Sequence, residues 1–134
     1  MLKIISNTTL DELSRKAVDA PRRRMNLNHH DDLADPINRM LNAFEPGTYV
    51  QPHKHEKPDK REVFLILRGS LVVVFFDDLG NANEFVRLNR ETGNYAVEIP
   101  AGIWHTIIAL DEGTVVYEVK DGPYFPMNDK NFAP

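Results

Sequence analysis

Cysteine is absent from this chain of 134 residues. Disulfide frameworks, thiolate zinc sites, iron–sulfur clusters and cysteine nucleophiles are therefore excluded together. Long apolar runs are absent as well. The longest, residues 63–67 and 71–76, fall far short of the roughly 18–20 residues that span a bilayer. The first eight residues turn polar too soon for the core of a secretory signal, so the expected setting is cytoplasmic, with no membrane partner. Positive charge is scarce: 16 basic against 20 acidic residues leave a net charge of −4, which argues against nucleic acid as a partner. The one basic cluster, Arg22-Arg23-Arg24, is too short to reverse that. Serine occurs only as Ser6, Ser14 and Ser70, none beside a histidine, so a nucleophilic triad has no support. The seven glycines are dispersed as turn residues, which leaves no phosphate-cradling loop.

What is present is an ordinary globular composition, 42% apolar and 27% charged, at the length of one domain. A single helix is expected near the start. Thr9 and Glu12 fit a capping box, Leu10, Leu13, Ala17 and Val18 form one stripe, and Pro21 ends it. Residues 22–35 read as a polar, irregular loop or arm. From Pro36 the period changes to two, and strands are expected at residues 37–44, 48–51, 62–68, 71–76, 84–88, 95–99, 104–110 and 114–120. Turn-forming residues separate them, and roughly eight short strands leave no room for βαβ crossovers. The expectation is a closed or double-sheet β architecture. Residues 121–134 are too apolar for a free tail and are expected to pack along the barrel.

The histidines carry the chemistry. His53 and His55 alternate across Lys54, and residues i and i+2 of a strand face the same way, so both imidazoles can converge on one point. Glu62 opens the next strand with Phe64 and Ile66 on its face. His105 follows Pro100-Ala101-Gly102-Ile103-Trp104. A His-x-His pair, a carboxylate and a distant third histidine supply up to four nitrogen and oxygen donors, with positions left open for water or substrate. His29 and His30 fall in the polar loop and read as solvated.

The surroundings of these residues resemble a known family. Five residues separate Gly47 from His53-Lys54-His55, and six-residue gaps follow to Glu62 and then to Gly69. This stretch resembles the first cupin motif. Gly93, six further residues and Pro100-Ala101-Gly102-Ile103-Trp104-His105 resemble the second. The whole chain further resembles the WbuC-type cupin fold metalloproteins. That closer likeness rests on the helix ending in Pro21-Arg22-Arg23-Arg24, the run Asn42-Ala43-Phe44-Glu45-Pro46-Gly47, the segment Glu98-Ile99-Pro100-Ala101-Gly102, and the ending Asn131-Phe132-Ala133-Pro134. The resemblance implies a mainly β fold, a cupin double-stranded β-helix (jelly-roll barrel) with one N-terminal α-helix. It implies a single domain over residues 1–134, with helix and arm at 1–35, barrel at 36–120 and tail at 121–134. It also implies that His53, His55, Glu62 and His105 are metal ligands. The gap from His55 to Glu62 is longer than usual for the motif, so residues 57–60 should bulge, and Glu56 and Asp59 stand as alternatives to Glu62. One extra residue before Pro100 suggests a β-bulge.

The donor set admits one divalent transition metal, Fe, Mn, Zn, Ni, Co or Cu, without choosing among them. Gln51, on the face of His53, Glu118, in an otherwise apolar strand, and Arg39 are the candidate pocket residues, with Asn42 beside Arg39. Arg24, Asn28 and His29 would be lid residues if the arm closed over the barrel. Trp104 should point away from His105 into a core. The family's association with surface-polysaccharide gene clusters implies a metal-dependent enzyme acting on a sugar or other small polar metabolite. The alternative is a non-catalytic carbohydrate-binding module with a structural or anchoring metal. The expected partners are a small-molecule ligand and a second copy in a homodimer.

Overall fold

Alternation of buried and exposed side chains dominates the second half of the chain. In the strand Glu62–Arg68 (β4), Glu62, Phe64 and Ile66 are buried while Leu65 between them is exposed. The same two-residue period orders the other strands. The computed structural model describes residues 1–125 and 129–134. In it, one helix, Asn7–Asp19 (α1), precedes the strands Arg24–Asn28 (β1), Ile37–Phe44 (β2) and His53–Lys54 (β3). After β4 come Ser70–Phe76 (β5), Ala82–Asn89 (β6), Ala96–Ile99 (β7), Trp104–Ala109 (β8), Thr114–Asp121 (β9) and Asn131–Phe132 (β10). They form two five-stranded antiparallel sheets, β1-β2-β9-β4-β7 and β10-β3-β8-β5-β6. This is the expected double-sheet barrel with one N-terminal helix.

Two apolar clusters stabilise it. Between the sheets, Phe64, Ile66, Val73, Leu88, Ile107 and Val116 pack as the barrel's core. Outside the first sheet, Leu10, Leu13 and Ala17 of α1 cover Leu41, Ala43 and Val115. β2 is therefore buried on both faces, Leu41 beneath the helix and Phe44 within the barrel. Each fully buried leucine contributes roughly 1.5–3 kcal/mol.

The differences from the sequence expectations have local causes. The helix starts earlier because Ser6, not Thr9, is the N-cap. Its hydroxyl accepts from the Thr9 amide at 3.4 Å, and Thr9 Oγ1 accepts from the Ser6 amide at 3.2 Å. A hydroxyl thus fills the role expected of Glu12. Ala20 leaves the helix in an extended conformation, as Pro21 requires. Val18 is exposed, and Ser14 takes a buried place, accepting from Arg68 Nη2 at 3.1 Å. The expected loop over residues 22–35 contains β1, paired with β2 from Arg24↔Phe44 to Asn28↔Met40. Residues 48–51 are not a strand; only His53–Lys54 pairs. β7 runs against β4 in unbroken register from Ala96 to Ile99, so the extra residue before Pro100 sits in the connection and forms no bulge there. The expectation of a packed tail extends over residues 126–128, which lie outside the described residues. Residues 131–132 add strand β10 beside β3.

Gly69 joins β4 to β5 at φ +84°, where an added Cβ would meet Thr114 Oγ1 and lie 2.7 Å from Thr114 Cα. Gly80 has a similar φ of +88° and open space around it. Gly69→Ala should thus cost well over the ~1 kcal/mol of backbone strain expected for Gly80→Ala. Urea midpoints of the two variants check this, and equal losses would contradict it.

Candidate metal centre

The centre forms where the two sheets face each other at one end of the barrel. β3 pairs with β8 through His53↔His105, and β8 pairs with β5 through His105↔Phe75. His55 follows β3 immediately, and Glu62 opens β4 on the inner face of the opposite sheet, in register with Lys120 and Ile99. All four residues are buried, and their ligand atoms lie within 4.8 Å of one another. Ring centroids are 4.5 Å apart for His53–His105, 5.2 Å for His53–His55 and 5.8 Å for His55–His105. Glu62 Oε1 is 2.6 Å from His105 Nε2 and 3.3 Å from His55 Nε2.

Each ring is pinned from behind. Nδ1 of His53 bonds to Gln51 O at 2.9 Å, Nδ1 of His105 to Ile103 O at 2.9 Å, and Nδ1 of His55 to Asp129 O at 2.6 Å. A carbonyl only accepts, so each Nδ1 carries a proton and each ring turns its Nε2 edge away from that carbonyl. Nε2 of His55, Nε2 of His105 and Glu62 Oε1 have no hydrogen-bond partner among the described residues. Burial, reinforced by His105, pushes the His53 pKa down to about 3. Burial opposes ionisation of Glu62, but His105 and His55 hold its carboxyl well below the usual range. A neutral His53 and an ionised Glu62 are the protonation states that a divalent cation requires. The donor set and its orphaned atoms fit such an ion.

The long gap before Glu62 is a turn over residues 56–59, as expected. Neither alternative ligand joins the cluster: Glu56 pairs with Lys54 at 2.8 Å, and Asp59 accepts from the Lys57 amide.

A cavity of about 540 Å³ opens beside the four residues. Glu118 lines it, buried, and accepts from Asn42 Nδ2 at 2.7 Å. Burial, and then the neighbouring Glu62 carboxylate, push the Glu118 pKa up to about 8. Arg24, Asn26 and Asn28 of β1 line the cavity from the sheet edge. Gln51 is a correction: it is exposed, lies outside the lining, and donates to Ala133 O at 2.9 Å. Arg39 is another, turned to the outer face to pair with Asp35 at 2.8 Å. His29 lies outside the lining as well, 6.0 Å from the Tyr117 ring. His30, expected in solvent, is buried in the lining, with Nδ1 3.1 Å from the Arg39 amide. Trp104 does point away from His105, but it lies half-buried under Lys54, whose Nζ is 4.6 Å from its ring centroid, and not in a core.

Sequence reasoning missed a buried triad. Asp129 accepts from Lys60 Nζ at 2.9 Å and Lys120 Nζ at 2.8 Å, with all three side chains buried. Burial works against the Asp129 charge, but Lys120 and Lys60 keep its pKa lowered. The signal was Lys120 on the same face as Val116 and Glu118; its partner was not predictable from spacing.

A family model described as a domain of unknown function, DUF6016, matches residues 5–88. The chain belongs to this family. The matched stretch of this DUF6016 protein holds His53, His55 and Glu62 but ends before His105. Among curated proteins, none matches it by sequence. Solved structures do. KdgF from Halomonas sp. is similar at TM-score 0.60 and 18% identity, over 79% of this chain and 84% of that one. Oxalate decarboxylase from Bacillus subtilis is similar at 0.59 and 20%, over 81% of this chain and 27% of that one. CapF from Staphylococcus aureus, a capsular polysaccharide assembling protein, is similar at 0.60 and 23%, over 81% and 31%. The DUF6016 chain thus spans less than a third of the latter two proteins. These likenesses establish the fold, a cupin jelly-roll barrel. Among the described residues, no helix is long and apolar enough to cross a membrane.

The Glu118 pKa has a pH consequence for metal-stripped protein. The unfolded chain releases this proton near 4.5 and the folded chain near 8, so wild-type stability falls as pH rises between them. Glu118→Gln keeps the shape and cannot ionise. Its stability relative to wild type should rise from pH 4.5 towards 8, by an amount on the order of a few kcal/mol. Urea unfolding across that range is the check; a pH-independent difference would contradict it.

Proposed function

We propose that this chain is a metal-binding cupin that takes a small polar metabolite into the barrel. His53, His55, Glu62 and His105 hold one divalent transition metal, drawn from Fe, Mn, Zn, Ni, Co and Cu. The observation that carries the reading is the convergence of one ligand atom from each of four buried residues within 4.8 Å, with the three imidazoles pinned through Nδ1 on carbonyls. When bound, the metal would supply Lewis acidity towards an oxygen of the metabolite.

The chain's own residues do the rest. The Nδ1 bonds fix the three rings with their Nε2 edges directed inward. Glu118 holds a proton at neutral pH, and Asn42 fixes the orientation of its carboxyl. Val50, Phe64 and Ile107 supply the apolar part of the lining, and the amides of Asn26, Asn28 and Asn42 supply donors and acceptors suited to a hydroxylated ligand. A sugar in surface-polysaccharide biosynthesis fits that lining. The WbuC-type resemblance supports this assignment, and the fold shared with a capsular polysaccharide assembling protein is compatible with it. A proton-bearing carboxyl inside the cavity favours an enzyme over a passive binding module.

Elemental analysis of untagged protein tests the reading. Near-stoichiometric divalent metal is expected in the wild type and none in His53→Ala or His105→Ala. Metal at a hundred times its Kd stabilises by roughly 2.7 kcal/mol, so a chelator should lower the melting temperature of the wild type alone. A metal-free wild type that also refuses added divalent ions would overturn the proposal.

A further inference from the structure

Of the three carbonyls that pin the histidine rings, one differs in kind. His53 and His105 bond to carbonyls two residues back along their own chain segments, Gln51 O and Ile103 O. Those bonds are local to each segment. His55 bonds to Asp129 O, 74 residues further along the chain. It also stands one residue beyond β3, outside any strand. The orientation of its ring therefore depends on where residue 129 sits.

Residue 129 is placed by its own side chain. Its carboxylate bridges Lys60 Nζ and Lys120 Nζ, and both ammonium groups face the ring of Tyr124, at 6.0 and 5.8 Å. Lys60 also donates to Pro123 O at 2.8 Å. Downstream, Asn131 and Phe132 pair with Lys54 and His53, and the Ala133 amide donates to Pro52 O at 2.9 Å. Asn131 Oδ1 accepts from the Glu56 amide at 3.1 Å. Residues 129–134 thus bind along the stretch that carries His53 and His55. Both lysines are buried and the carboxylate is the salt-bridge partner they share, so its loss would leave their charges poorly compensated.

We propose that Asp129 is a positioning residue of the metal centre: clamped between Lys60 and Lys120, it sets its carbonyl against His55 Nδ1 and couples metal affinity to docking of residues 129–134. This inference rests on the reading of the four residues as a metal site. The coupling is reciprocal, so a docked segment raises metal affinity and bound metal tightens the docking by the same factor. Outer-shell partners of a metal ligand typically contribute roughly 10–100-fold in affinity.

The experiment uses full-length protein, stripped with a chelator and titrated with Co(II), whose visible absorption reports its ligand geometry. Asp129→Asn is compared with the wild type and with Leu13→Ala, a destabilising change beneath α1 and away from the centre. Asp129→Asn should bind Co(II) roughly 10–100-fold more weakly, with an altered visible spectrum. Leu13→Ala should lower the melting temperature and leave affinity and spectrum unchanged. In the wild type, Co(II) should slow amide hydrogen exchange in residues 129–134. A folded Asp129→Asn with wild-type affinity and spectrum overturns the inference, as does exchange in that segment that ignores Co(II). The exchange arm decides the matter even if Asp129→Asn does not fold. A wild type that takes up no Co(II) overturns the metal reading itself, and this inference with it.

Discussion

Three imidazoles and a carboxylate, buried together, are a conflict that the described residues alone do not resolve. The ligand atoms of His53, His55, His105 and Glu62 share one small space, and among the described residues His55 Nε2, His105 Nε2 and Glu62 Oε1 have no hydrogen-bond partner. Buried lone pairs without a donor each cost on the order of 1–3 kcal/mol, and mutual repulsion adds to that. For His53 a proton is no remedy, because burial pushes its pKa down to about 3. A cation relieves the conflict without that difficulty. The surrounding architecture can be understood as what is needed to hold this arrangement in place.

Holding it takes contributions from both sheets. β3 is only two residues long, too short to fix anything alone. It is flanked by β8 on one side and β10 on the other, so the His-x-His stretch sits between a strand that carries His105 and one that arrives from the end of the chain. Glu62 comes from the opposite sheet, where β9 and β7 flank β4. The centre therefore joins segments that are far apart in sequence, and its geometry depends on the barrel having closed.

Much of this was legible in the sequence. The spacing of His53 and His55 matches the strand period, and turn glycines frame both motifs, so the histidine pair and the limits of β2 and β4 follow from local pattern, while the four-residue donor set was implied by the family resemblance. What was not legible has physical reasons. β1 alternates, but with Arg24, Asn26 and Asn28 inward, so the usual rule of apolar residues facing the interior reads it as a loop. The Lys60–Asp129–Lys120 triad joins three distant positions through charge, which leaves no periodic trace. Arg39 and Gln51 have suitable chemistry, but Arg39 falls on the outward parity of β2, and Gln51 precedes β3 in a segment that is not a strand.

The inward polarity of β1 and β2 raises a question of energy. Strands that present Asn26, Asn28, Asn38 and Asn42 to a cavity gain little from the inter-sheet core at those positions. The compensation lies on their other face. Leu41 and Ala43 alternate with the asparagines of β2, and α1 buries them with Leu10, Leu13 and Ala17. The barrel end that holds the cavity is thus stabilised from outside, by a helix whose apolar stripe matches the outward parity of the strand beneath it. A polar cavity wall and an external helix are then two consequences of one alternation. With Leu41 at 0% exposure, that packing lets the inner face be shaped for a ligand and not for a core.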